Sequence, residues 1–96
     1  MEIKRAYEKK LQAQLDELDA KVKELKAKAN KAEADAKIEY NKEIENLQAL
    51  QDKASKKLDE IKEASDDAWT DLKAGADSAW EDLNSAVKLA VSRFKS

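Results

Sequence analysis

The chain contains no cysteine, no histidine and no proline, and its 96 residues include one glycine (Gly75). Without cysteine there is no disulfide framework, no thiol nucleophile and no thiolate zinc site. Without histidine the usual general base and the usual metal ligand are missing. Without proline, and with one glycine, almost nothing punctuates the backbone. No apolar run is long enough to cross a bilayer, and Met1–Glu8 lacks the apolar core of a signal peptide, so a cytoplasmic protein is expected. The β-branched residues are scattered and never alternate over a useful run, which removes any strand signal. Ninety-six residues permit one small domain or one elongated helical unit.

What remains is charge and helix formers. Charged residues make up 42% of the chain, yet the net charge is −2. That balance argues against a nucleic-acid partner, which needs a basic excess to release counterions from phosphate. Alanine, lysine, glutamate, leucine and aspartate dominate, a composition of coiled coils and long-helix bundles. The expected fold class is all-α.

Leu11, Leu15, Leu18, Val22, Leu25, Ala29, Ala32 and Ala36 are spaced by alternating steps of four and three, a heptad seam. The seam fades to alanine over Ala27–Ala36 and strengthens again through Tyr40, Ile44, Leu47, Gln51, Ala54, Leu58 and Ile61. Gln51 is the polar member, a weak point or a register device. Only Asn30 has turn character between Ile3 and Ala64, so one helix is expected over about 3–64, about 90 Å long. The domain reading is a charged coiled-coil helix over 1–65 and a tryptophan-bearing helix over 66–96 that packs on it as one structural unit.

Residues 1–32 carry a net of +3 and residues 33–65 a net of −3. Antiparallel pairing about the alanine-rich midpoint sets the opposite halves together, within one chain or between two. The expected architecture is an antiparallel homodimer; the alternative is a monomeric three-helix bundle with a turn near Asn30. Ala64-Ser65-Asp66-Asp67 marks the next boundary, with side chains that accept bonds from the free amides of a helix start.

The second helix, about 67–95, carries a short unit written twice. Asp67-Ala68-Trp69-Thr70-Asp71-Leu72 recurs as Ser78-Ala79-Trp80-Glu81-Asp82-Leu83, a step of eleven residues and three helical turns. The expected face is Trp69, Leu72, Ala76, Trp80, Leu83, Val87, Val91 and Phe94, with Ala68, Ala79, Ala86 and Ala90 beside it. Arg93 and Lys95 suit the negative end of this helix. Gly75, inside the repeat, is read as leaving room for a neighbouring helix, at a cost of about 1 kcal/mol.

Two indoles at helical spacing are the expected filling of a core between helices. The acids Asp66, Asp67 and Asp71, or Asp35, Glu39 and Glu43, read as capping and solvated surface rather than a cation site. A charged rod offers no concave, water-excluding pocket for acid–base work, so no enzyme activity and no cofactor are expected. An amphipathic 67–95 face also suits a lipid interface, although residues 66–96 carry a net of −2 and gain nothing from anionic lipid.

Lys-Ala-Glu-Ala-Asp-Ala-Lys-Ile-Glu-Tyr (31–40), Leu-Asp-Glu-Ile-Lys-Glu-Ala-Ser (58–65), Asp-Ala-Trp-Thr-Asp-Leu-Lys-Ala-Gly (67–75) and Ala-Trp-Glu-Asp-Leu (79–83) together cover much of the chain. In this order the chain resembles a family of short bacterial proteins described only as coiled-coil domain-containing. The double Ala-Trp motif is the most specific part. Members carry Ser-Gly-Asp where this chain has Ser65-Asp66-Asp67, a departure that leaves a continuous bent helix open. The resemblance implies no enzyme activity and no catalytic residues. The expected function is a non-enzymatic structural or interaction protein that self-associates through its seam; the alternative is a binder of lipid or another hydrophobic surface. Another helical protein is a further possible partner.

Overall fold

The computed structural model describes residues 2–94, Glu2 by its backbone alone. Helix α1 spans Glu2–Lys31, α2 spans Ala34–Glu63 and α3 spans Trp69–Arg93. No strand occurs among the described residues. The chain is an all-α helical bundle, 51 Å long and 17 Å across. The basic helix end assigned to Lys95 lies outside the described residues.

The helix expected to run unbroken over about 3–64 is interrupted at Ala32–Glu33, so the chain folds back close to Asn30. No single residue forces the break. Glu33 takes an extended conformation, φ −70° and ψ 162°, and offers no side-chain cap to α2. The cause is packing: an amphipathic helix gains most of its stability by covering its apolar stripe, and folding back covers two stripes at once. End charges assist. Lys28 and Lys31 lie in the last turn of α1 and Asp35 in the first turn of α2, each matching the dipole it meets.

Side-chain ties set the directions of the helices. Lys4 near the start of α1 reaches Ala64 O at the end of α2, and Asp19 bonds Gln51, so α1 and α2 run in opposite senses. Tyr40 stacks on Phe94 with ring centroids 4.0 Å apart, so the start of α2 meets the end of α3. Tyr7 lies beside Trp69, so α1 and α3 run in the same sense.

The core is one continuous cluster. From α1 it takes Leu11, Leu15, Leu18, Val22, Leu25 and Ala29, and from α2 Ile44, Leu47, Ala54, Leu58 and Ile61. From α3 it takes Trp69, Ala76, Ala79, Leu83, Val87 and Ala90. Half of α3's share is alanine, which lets its backbone lie close to its neighbours while burying little surface per residue.

Between α2 and α3 the turn is built around Ser65. Its hydroxyl accepts the Ala68 amide at 3.2 Å, and its carbonyl accepts the amides of Ala68 and Trp69. This is the cap that the Ser65-Asp66-Asp67 boundary implies.

Candidate functional site

The expected seam is formed within the chain. Leu11, Leu15, Leu18, Val22, Leu25, Ala29, Ile44, Leu47, Leu58, Ile61, Trp69, Leu83 and Val87 are buried, and Tyr40, Leu72, Trp80 and Phe94 are half-buried against them. Two seam alanines stand apart. Ala32 is half-buried at the break and Ala36 is exposed. Both lie beyond the Tyr40–Phe94 stack, in a hairpin tip that extends about 9 Å past Phe94. Ala36 is therefore not a core residue of the bundle.

On α3 the eleven-residue step and the packing diverge. From Trp69 the packed positions run through half-buried Leu72 and then buried Ala76, Ala79, Leu83, Val87 and Ala90, close to a heptad. Trp80 is one position off that line, turned about 100° from Ala79. Trp69 is 6% exposed, whereas Val91, the next step of the repeat, is 36% exposed. The two tryptophans are thus unequal. Trp69 is core; Trp80 is flank, with a buried indole N–H that has no acceptor among the described residues.

Gly75 does not serve helix approach. It is exposed, and a Cβ placed there would meet only the flexible Lys57 side chain, at 4.0 Å.

Polar ties between helices were not evident from periodicity. Gln51 Nε2 donates to Asp19 Oδ1 at 2.9 Å across α1 and α2. That bond, with the Lys23 ammonium next, holds the Asp19 carboxyl below its usual range. The Tyr7 hydroxyl donates to Asp77 Oδ1 at 2.5 Å, and Lys73 Nζ lies 5.5 Å from the Tyr7 ring centroid. Burial, then the bond to Asp77 and the charge on that carboxylate, push the Tyr7 phenol well above its ordinary value. Lys4 Nζ donates to Ala64 O at 2.7 Å and Lys62 O at 3.2 Å, placing a cation on the negative end of α2. Arg93 contacts Glu39 at 3.3 Å and Glu43 at 3.7 Å. Among the described residues no ion pair joins α1 to α2.

Two open grooves run between α1 and α3. One, of about 230 Å³, is lined by Tyr7, Lys10, Gln14, Asp77, Trp80 and Glu81. The other, of about 320 Å³, has Val87 and Val91 beside Lys21, Glu24, Lys88 and Ser92. Neither brings together three metal-binding side chains, and no such group occurs among the described residues. Among the described residues the two displaced groups owe their shifts to packing between helices, Tyr7 to burial first and Asp77 second, Asp19 to the Gln51 bond first. Asp66 and Asp67 lie exposed in the α2–α3 turn, and Glu39 and Glu43 contact Arg93.

The described residues form an all-α helical bundle with open grooves between α1 and α3. No protein-family model, curated protein or solved structure matches the chain. Among the described residues no helix is long and apolar enough to cross a membrane.

Proposed function

We propose that this chain is a non-enzymatic structural and interaction protein that works by helix-to-helix association in the bacterial cytoplasm. Its first partner is a second copy of itself, and its wider partner class is other helical proteins. One observation carries this reading. Of the four large apolar side chains exposed among the described residues, Ile38, Leu89 and Val91 lie within about two helical turns of the Tyr40–Phe94 stack. The bundle thus carries its exposed apolar surface towards one end, where the α1–α2 tip also extends past Phe94. The polar side chains support the same reading, since Asp19, Gln51, Tyr7, Asp77, Lys4 and Arg93 all tie helix to helix. The bacterial placement rests on the resemblance carried by residues 67–75 and 79–83.

Light scattering coupled to size-exclusion chromatography over a dilution series tests it. The expected result is a concentration-dependent rise from the 10.8 kDa chain mass towards twice that value. A single chain mass at every concentration would remove self-association.

A second reading has its own support. The valine-lined α1–α3 groove and the exposed Leu89 and Val91 give α3 an incompletely covered face suited to a lipid or other hydrophobic surface. Co-flotation with neutral and anionic vesicles and a blue shift of tryptophan emission are the expected signs. Absence of both would end that reading.

A further inference from the structure

We infer that the Ala32–Glu33 break is an exchange hinge: two copies open there, straighten residues 2–63 into one helix each, and trade α1 between their bundles. The inference rests on the self-association proposed above and specifies its geometry.

Beyond the end charges of Lys28, Lys31 and Asp35, the break has no glycine, proline or side-chain cap to hold a turn. Residues 29–36, Ala-Asn-Lys-Ala-Glu-Ala-Asp-Ala, contain no glycine and no proline, and four of the eight are alanine, the strongest helix former. Among the described residues none has a positive φ, and Glu33 supplies no side-chain cap. Closing the break would give the amides of Glu33, Ala34, Asp35 and Ala36 the carbonyls of Ala29, Asn30, Lys31 and Ala32 as helical partners. The heptad pattern also ignores the break. Ala29, Ala32 and Ala36 continue the seam, yet the bundle covers only Ala29 fully. In the straightened pair the small residues meet at the two-fold, where two helices can cross closely.

Everything α1 touches can be supplied by another copy. Its ties to Gln51, Lys62, Ala64, Trp69 and Asp77 all lie on the α2–α3 part of the chain. Exchange therefore forms each contact twice, once on either side of the two-fold, with the +3 half of one copy still on the −3 half of the other. A single peptide stretch bears the whole conformational difference, the condition under which domain swapping costs little.

Proline at position 34 separates the two states. Ala34 is the first residue of α2, is exposed, and follows a residue already in the extended conformation that proline demands. Ala34→Pro thus fits the bundle, whereas in a continuous helix it removes a hydrogen bond and meets the Asn30 carbonyl. Wild type refolded at high concentration is expected to give a dimer. Ala34→Pro is expected to weaken that dimer by about a hundredfold or more while leaving helical circular dichroism close to wild type. Asn30→Ala with Glu33→Ala, which strengthens the straight helix, is expected to shift the equilibrium towards the dimer.

Cysteines at positions 19 and 51, joined by a short bis-maleimide, report which chains pair. The exchanged dimer is expected to yield covalent dimer under denaturing conditions. A dimer peak that yields only internally linked monomer, or a dimer untouched by Ala34→Pro, would overturn the exchange and leave self-association standing. Chain mass alone at every concentration, for wild type and the Asn30/Glu33 variant alike, would overturn both.

Discussion

Gln51 and Asp19 meet at 2.9 Å across the α1–α2 seam, the amide of one helix donating to the carboxylate of the other. Gln51 occupies a heptad position between Leu47 and Ala54, both buried. A polar side chain there weakens the apolar seam, but it has one partner on the opposing helix and so marks one register. A one-turn slip would leave Gln51 without it.

A double-mutant cycle on Gln51→Ala and Asp19→Ala should return a coupling of about 1 kcal/mol, since the bond is charge-assisted but partly exposed. In Gln51→Ala, the Asp19 carboxyl should move back up towards its usual range, which an NMR titration reads directly. Because the folded carboxyl is held low, its contribution is present above the ordinary carboxylate pKa and fades as pH falls through the folded value. An Asp19 titration unchanged by Gln51→Ala would show that the lysines Lys23 and Lys26, not the amide, lower it.

Gly75→Ala should stabilise the bundle by about 0.5–1 kcal/mol. The residue lies inside α3 with negative φ, and a Cβ meets nothing closer than Lys57 at 4.0 Å. Glycine there costs backbone entropy and gives no close approach in return. Chemical denaturation of the variant checks it, and a lower midpoint would mean that Gly75 serves a contact outside the single chain.

The fold was legible where bulky residues carried the period. Leu11 to Leu25 and Ile44 to Ile61 repeat in steps of three and four with large side chains, and these residues form the core of α1 and α2. The break at Ala32–Glu33 was legible only as the alternative of a turn near Asn30, because Ala32 and Glu33 themselves favour helix and the gain from covering two stripes is what opposes it. The α3 face was partly legible. Trp69, Ala76, Leu83 and Val87 of the expected face are buried, whereas Trp80 and Val91 are not, and Ala79 and Ala90, read as flanking it, are core. The Tyr7–Asp77 bond spans 70 positions of sequence, and no local pattern encodes such a pair.

Tyr7 makes stability sensitive to alkaline pH. Its phenol is raised above the ordinary value of 10.0 by burial first and by Asp77 second. A folded pKa above the unfolded one gives stability that is complete below the ordinary value and is lost as pH rises towards the folded value. Unfolding free energy measured in urea at neutral pH and near about pH 11 should therefore fall less in Tyr7→Phe than in wild type. Equal losses in the two proteins would assign the alkaline effect to lysines instead.

The two tryptophans should respond oppositely to the same kind of change. Trp69 is 6% exposed and has the Tyr7 ring 5.6 Å away, so Trp69→Ala should cost about 3–5 kcal/mol. Trp80 is half-buried on the flank, and its indole N–H is shut from water without an acceptor, a state that carries a desolvation penalty of about 1–3 kcal/mol. Trp80→Phe keeps much of the ring contact and removes that donor, so it should be neutral or stabilising, while Trp69→Phe should destabilise. Fluorescence separates the sites without reference to stability. With Trp80 replaced, emission comes from buried Trp69 alone and should lie to the blue of wild type; with Trp69 replaced it should lie to the red. If both variants lose the same stability and emit alike, the two indoles are equivalent members of one face, and the eleven-residue repeat, rather than the heptad through Ala79 and Ala90, sets how α3 packs.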